Sequence, residues 1–533
     1  MDQSKYSYVV NGETINLDID HDHIALQFNE PSPKSTRAAF VEKSNQLGEF
    51  FNRQEIPGEK FTIFKLAEVQ KSRPSRFNNA LTSLNAESDV KKAMPVFKSG
   101  NKKVIATNKI LVGFDNNNSK EINKLMDKFS LTKIEDSYNE FLFEIPEDSD
   151  VFTTVQQLAK EPIVNYAEPD FVTIGSNSSR NLKSNLPNPL HNIDDNADLS
   201  GQQYVIKITQ ADEAWKLQKG NRKIRIAILD EGVEMTHPDF KEVIEKSFDA
   251  TDGDTFQEPN SWDGHGTACC GLAAARHKSF GVKGLSSGCS VFAVRLAYSN
   301  VPNGDWVTSN SIIKNAIDWS WESGADILSN SWGGGTPSNA ISAAFERART
   351  KGRKGKGCVI VIAAGNEDAI VAFPGTLKDV LTVSASNEYD EPKTKTSRDG
   401  EYWWGSCFGP EVDIAAPGVH NLTTDITGIK GYNKHYNYTD FNGTSSATPI
   451  VSGIAGLILS ANPHLTEEEV RTVIKETADK VGNFPYYQGH NDRMGFGRIN
   501  AFKAIAHVLK NKTAIKSTPK QKGKSVQSKS LTK

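Results

Sequence analysis

Ile224-Arg225-Ile226-Ala227-Ile228-Leu229-Asp230-Glu231-Gly232 is a short apolar run that stops on two acids and a glycine. It is too short for an ordinary helix and rich in isoleucine, which predicts a strand buried on both faces, as in a parallel sheet. Chemistry in open α/β sheets sits beyond the carboxyl ends of the strands, so Asp230 stands where a catalytic carboxylate belongs. Outward from this run, apolar stretches at 291–296, 327–329, 359–363 and 381–384 alternate with helical patterns at 311–322, 339–350 and 466–478. That alternation predicts an α/β fold built on a doubly wound parallel sheet. Thr466 and Glu469 have the spacing of a capping box that starts the last of these helices.

Two further segments are rich in small residues around a reactive one: Asp263-Gly264-His265-Gly266-Thr267 and Asn442-Gly443-Thr444-Ser445-Ser446-Ala447-Thr448-Pro449. Read singly, Asp230 is a turn former, His265 a loop histidine and Ser445 a helix cap. Read together, they are the parts of a nucleophilic machine. A serine hydroxyl is a poor nucleophile at neutral pH, so an imidazole must take its proton and a carboxylate must hold the imidazole tautomer. Ser445 is the candidate nucleophile, His265 the general base and then acid, and Asp230 the orienting carboxylate. Ser445 precedes an apolar run at 447–460, with Pro449 expected in a first helical turn. Its own N–H then lies at a helix N-terminus, which favours negative charge.

These three boxes, in the chain order Asp, His, Ser, resemble the active-site boxes of the subtilisin-like serine proteases over residues 200–508. The order is neither that of chymotrypsin nor that of the α/β-hydrolases. Ala363-Ala364-Gly365-Asn366-Glu367 resembles the oxyanion-hole loop of that family, which implies Asn366 as a second donor to the tetrahedral intermediate. Ser329-Asn330-Ser331-Trp332-Gly333-Gly334-Gly335 resembles the strand that pairs with substrate. The resemblance implies that Ser331, Trp332, Gly333 and Gly334 bind an extended protein or peptide substrate by strand addition. The Trp332-Gly333 pair and Asp230-Glu231 are also similar to the dibasic-cleaving branch. The acids that branch carries after its tryptophan are missing from Gly334-Gly335-Thr336-Pro337, so dibasic specificity has no support, while Glu231 would favour a basic residue one position further from the scissile bond.

The resemblance also implies Asp239 as a ligand of a structural calcium, with its other ligands from a loop at 276–282. Lys278 stands where the family has an asparagine, and an ammonium there would substitute for the cation electrostatically. No cofactor is required by the chemistry itself.

Upstream, the sequence repeats itself. Strand, helix, strand, helix, strand are expected at 24–28, 35–51, 61–66, 75–86 and 90–97, and again at 110–114, 120–129, 141–145, 151–160 and 164–172. The result is two small α+β, ferredoxin-like βαββαβ units at 1–100 and 105–174. The second resembles the subtilase propeptide, which implies the chain's own propeptide as a partner that inhibits it. The first is a degenerate copy or a separate binding module. A linker is expected at 175–203, exposed and open to self-cleavage, then a catalytic domain at 204–508 and a disordered basic tail at 509–533. From Lys510 onward there are eight lysines and no acid.

A chain of 533 residues exceeds one ordinary domain, and a net charge of -3 argues against nucleic acid as the main partner. No apolar run approaches the roughly 18 residues of a membrane span. Met1-Asp2-Gln3-Ser4-Lys5-Tyr6 opens without a secretory pattern, so the expectation is a cytoplasmic protein or export by another route. Cys269, Cys270, Cys289, Cys358 and Cys407 are odd in number and lack metal-type spacing, in keeping with a reducing compartment. Cys269 and Cys270 fall on a helix expected to begin near Thr267. They are small core residues, or, as resemblance to a thiol-bearing branch suggests for Cys269, a place where mercurials disturb His265. The expected activity is that of a serine endopeptidase made as an inhibited precursor. Its rival is a catalytically silent peptide-binding protein with a permanently occupied cleft.

Overall fold

The computed structural model describes residues 5–29, 47–50, 61–66, 74–175, 193–302, 304–482 and 484–517. Seven strands form a wholly parallel sheet in the order Ile244–Asp249, Ser290–Arg295, Arg225–Asp230, Ile327–Asn330, Val359–Ala363, Leu381–Ser386, Ile414–Pro417. The strand Arg225–Asp230 lies inside it. Ile226, Ala227, Ile228 and Leu229 are no more than 1% exposed, so both faces of that strand are covered. Removing one such side chain to alanine costs about 2–5 kcal/mol. The strands at 244–249 and 414–417 were not anticipated; the first, Ile-Glu-Lys-Ser-Phe-Asp, is a polar edge strand with little apolar signal.

Helix Thr444–Ala461 crosses the sheet and is buried almost throughout. It has 18 residues and a mean hydropathy of 1.3, longer than its apolar run implied, and it meets the length and composition of a membrane span while lying inside the core. Pro449 sits in its second turn rather than its first. A proline has no N–H, so the carbonyl of Ser445, four residues earlier, is released from the helix ladder. Ser331 Oγ takes that carbonyl oxygen at 2.9 Å.

The N-terminal part is an antiparallel sheet shared with the α/β part. Its order is Tyr298–Ser299, Trp306–Ser309, Val164–Gly175, Lys102–Phe114, Val90–Ser99, Asp18–Phe28, Phe61–Leu66, Leu47–Phe50, and Thr132–Ser137 with Glu140–Glu144 pair onto Lys102–Phe114 from the side. Residues 102–175 run strand, helix, strand, strand, helix, strand; Thr132–Ser137 is the strand for which the repeat gave no position. The two units meet in a tight hairpin, Ser99 opposite Lys102, with Gly100 at φ +59° as the turn requires. They therefore share one sheet, closed at the far side by Trp306–Ser309 pairing with Val172–Gly175.

Three expectations are corrected. Within the helix expected at 35–51, Leu47–Phe50 is an edge strand against Phe61–Leu66, in keeping with a glycine at 48; residues 35–46 and 51 lie outside the described residues. The linker expected at 175–203 packs down from Ile193: Ile193 and Leu199 are buried apolar anchors, and Leu199 N–H donates to Gly281 O at 2.9 Å. Only 176–192 of it lies outside the described residues. The tail expected from Lys510 begins as helix, since Ala501–Ser517 is continuous and Lys512 Nζ donates to Ala461 O at 2.7 Å. Lysines lose little entropy in a helix and their stems pack against its neighbour.

Candidate active site

Asp230 is the last residue of its strand, and His265 opens helix His265–Ala274, two residues earlier than expected. Gly266 lets that helix start against the Asp230 strand: a Cβ there would meet Gly232 O and come within 3.0 Å of Asp230 Cβ. His265 Nδ1 lies 2.8 Å from Asp230 Oδ1, with both side chains buried. Asp230 Oδ1 also accepts the Glu231 N–H at 2.8 Å. A carboxylate on Nδ1 fixes the tautomer and turns Nε2 the other way.

Ser445 is the second residue of its helix, after Gly443 at φ +107°, a conformation that favours glycine. Asp230, His265, Ser331, Asn366 and Ser445 line one cleft. The Ser445 hydroxyl donates to Ser331 O at 3.0 Å. Cys269 stands beneath both groups, its Sγ 3.8 Å from His265 Nδ1 and 3.6 Å from Ser445 O. Burial pushes its thiol well above the usual range, so it is neutral. All five cysteines are free and buried.

Asn366 is held from below. Its Oδ1 accepts the Thr444 N–H at 2.8 Å and the Thr444 hydroxyl at 3.0 Å, which orients the amide with Nδ2 toward Gly443. The loop is tied further by Glu367, whose Oε2 accepts the Asn366 N–H at 2.7 Å and the Cys407 thiol at 3.2 Å.

Ser331 to Gly334 follow the central strand Ile327–Asn330 into the cleft. Trp332 is fixed by Nε1 on Leu229 O at 3.1 Å. Gly334 is already engaged: its N–H donates to Phe373 O at 2.7 Å and its carbonyl accepts the Ser99 hydroxyl at 3.2 Å. The strand bonded to the end of the N-terminal part is instead Trp306–Ser309.

That N-terminal part docks through two carboxylates the sequence reading passed over. Glu168 accepts from the N–H groups of Asn339 and Ala340 and from Ser338 Oγ, at the start of helix Asn339–Gly355. Asp170 accepts the Ser311 N–H and hydroxyl at 2.9 and 2.7 Å, in the first turn of helix Asn310–Glu322. Anions at helix N-termini satisfy orphan donors and the macrodipole together. Burial pushes the Glu168 carboxyl up to about 7, against hydrogen bonds that favour its charged form. Glu168-Pro169-Asp170 puts two acids two apart in a strand, a spacing that by itself names no partner.

Asp239 lies away from this cleft, fully buried. Oδ2 accepts the Val282 N–H at 3.1 Å, while Oδ1 has no hydrogen-bond partner among the described residues. Burial pushes the group up to about 6. Lys278 places its Nζ on Pro238 O, and its charge and the Tyr438 hydroxyl both act on the Asp239 carboxylate. A leftover buried carboxylate oxygen is the kind of ligand calcium takes, while the Lys278 ammonium already sets a positive charge beside it.

A parallel sheet that delivers an aspartate, a histidine and a serine to one cleft, under a docked N-terminal sheet, defines a serine peptidase held with its prodomain. Residues 221–497 match the Subtilase family and residues 91–170 match the Fervidolysin N-terminal prodomain, so the chain belongs to the subtilase family. It is 28% identical to the calcium-dependent protease of Trichormus variabilis, over 94% of this chain and 79% of that protein. It is 30% identical to the thermophilic serine proteinase of Bacillus sp. strain AK1, over 68% of this chain and 78% of that one. The crystal structure of fervidolysin from Fervidobacterium pennivorans shares the fold, with a TM-score of 0.59 and 21% identity over 75% of this chain and 61% of that chain. The family matches give the silent-binder rival no support.

Proposed function

We propose that the chain is the latent precursor of an endopeptidase that works through an acyl-enzyme on Ser445. The Ser445 hydroxyl attacks the peptide carbonyl as His265 Nε2 takes its proton, so the Oγ–C bond forms and the carbonyl oxygen becomes an oxyanion. The Ser445 N–H and the Asn366 amide donate to that oxyanion. The His265 imidazolium, stabilised by Asp230, then gives its proton to the leaving nitrogen as the C–N bond breaks. Water repeats the sequence on the ester and releases the acid.

The observation that carries this reading is the 2.8 Å contact of His265 Nδ1 with Asp230 Oδ1 in the cleft that also holds Ser445. The substrate is an extended segment of protein, taken between Trp306–Ser309 and Ser331–Gly333, where the chain's own residues 172–175 now lie beside the first of these. The propeptide is thus the resident partner, and cleavage within 176–192 begins its release. Intact mass of the purified chain beside Ser445→Ala tests this: the active protein yields fragments cut in that interval, and identical full-length masses would count against self-processing. A structural calcium on Asp239 Oδ1 belongs to the same proposal, in line with relatives that are named calcium-dependent proteases. A cytoplasmic location is proposed on the five free cysteines.

A further inference from the structure

The cleft is filled from two places. One is the end of strand Val164–Gly175, bonded to Trp306–Ser309. The other is the hairpin that joins the two N-terminal units. Ser99, Gly100, Asn101 and Lys102 line the same cleft as His265 and Ser445.

The hairpin reaches the substrate strand directly. Ser99 Oγ donates to Gly334 O at 3.2 Å. Lys102 lies against Gly334 so closely that a Cβ on this glycine would collide with its Nζ. On its other side Lys102 Nζ lies over the Trp306 ring, 5.9 Å from the centroid. Lys102 therefore spans the cleft from the edge strand to the glycine strand. Trp306 also covers Gly175, where a Cβ would strike the indole, so one ring clamps both elements.

We propose that the hairpin Ser99–Lys102 is a second inhibitory element, which keeps the cleft closed after the chain has been cut within 176–192. The inference rests on the peptidase reading above and gives the first N-terminal unit a role in latency. Cutting beyond Gly175 removes none of the bonds that hold the hairpin. Val172–Ile174 stays paired with Val104 and its neighbours, and Phe97–Ser99 stays paired with Lys102–Val104. The plug is also built to leave. Lys102 forms no ion pair among the described residues, and burial pushes its amine below the usual lysine range, with Glu367 pulling the other way. A lysine taken from water with no carboxylate bonded to it is a costly resident in either protonation state, and a segment held by shape with one hydroxyl bond yields to a competing substrate strand.

The test uses the full chain with a site for an added sequence-specific protease placed within 176–192, in wild type, Lys102→Glu and the control Lys120→Glu. Lys120 is exposed on the second unit. The readout is the rate of fluorophosphonate labelling, beside the melting temperature of each sample. After the cut, Lys102→Glu, which sets a carboxylate toward Glu367, labels roughly tenfold faster than wild type or Lys120→Glu. Should Lys102→Glu melt early, Ser99→Ala replaces it, with a gain of roughly threefold from one lost hydrogen bond. Cut wild type labelling at once as fast as enzyme stripped of residues 1–175, or Lys102→Glu no faster than the control, overturns the hairpin's role. No labelling of the stripped, folded enzyme removes the peptidase reading instead, and this inference with it.

Discussion

His265 Nδ1 and Asp230 Oδ1 meet at 2.8 Å at the carboxyl end of a central parallel strand, and neither side chain is exposed beyond 7%. The bond holds the imidazole in one tautomer before substrate arrives. Asp230→Asn keeps the shape but reverses the hydrogen bond, so kcat should fall roughly 10⁴-fold with KM little changed. Steady-state kinetics on a chromogenic peptide measures it; a loss under tenfold would show that Asp230 does not orient the base.

Asn366 holds its Oδ1 on the Thr444 N–H at 2.8 Å, and the proposed mechanism gives its amide to the oxyanion. Asn366→Ala is expected to lower kcat about 100- to 1,000-fold at similar KM. It also leaves the Thr444 N–H without its acceptor, a stability loss of about 1–3 kcal/mol visible in urea melts. Activity unchanged in the folded variant would place the second donor elsewhere.

His420 sets a pH dependence close to the nucleophile. It is partly buried, which lowers its pKa, but Glu388 and Glu401 at 3.5 Å raise it to about 10. The His420 backbone N–H donates to Asn442 Oδ1, and Asn442, three residues from Ser445, donates its Nδ2 to Glu401. A folded-state pKa above the ordinary 6.5 gives stability that is whole below 6.5 and is lost as pH rises toward 10. The melting temperature should therefore fall by a few degrees across that interval, and His420→Gln should flatten the slope. Parallel slopes for the two proteins would contradict the pairing.

Asp239 Oδ1 is a buried oxygen with no hydrogen-bond partner among the described residues, which is costly unless it meets a cation or a proton. EDTA should lower the melting temperature of the wild type by several degrees and leave Asp239→Asn, already lower, unmoved. Equal melting with and without EDTA would remove calcium from this site.

Much of this was legible in residues 224–232 and in the glycine-flanked boxes, because a buried strand and a constrained loop each demand few residue types. Asp230, His265 and Ser445 are readable that way and Asn366 only through resemblance to the family's oxyanion-hole loop, and the structure brings all four to one cleft. What stayed hidden depends on tertiary partners. Glu168 and Asp170 look like ordinary acids until two helix N-termini face them. Lys102 looks like a turn residue until the hairpin lies on Gly334. Ile244–Asp249 is too polar to read as a strand, and Ile193 and Leu199 are isolated apolar residues in a segment of linker composition. Pro449 was seen as a helix starter, whereas its consequence, a released Ser445 carbonyl, needs Ser331 beside it.

The most direct test of the central claim is covalent. Enzyme freed of residues 1–175 is treated with a fluorophosphonate, and the modified peptide is located by mass spectrometry. The account predicts one adduct on Ser445 Oγ, slowed by several orders of magnitude in His265→Ala. Folded enzyme that takes no label, or takes it on a residue other than Ser445, would contradict it.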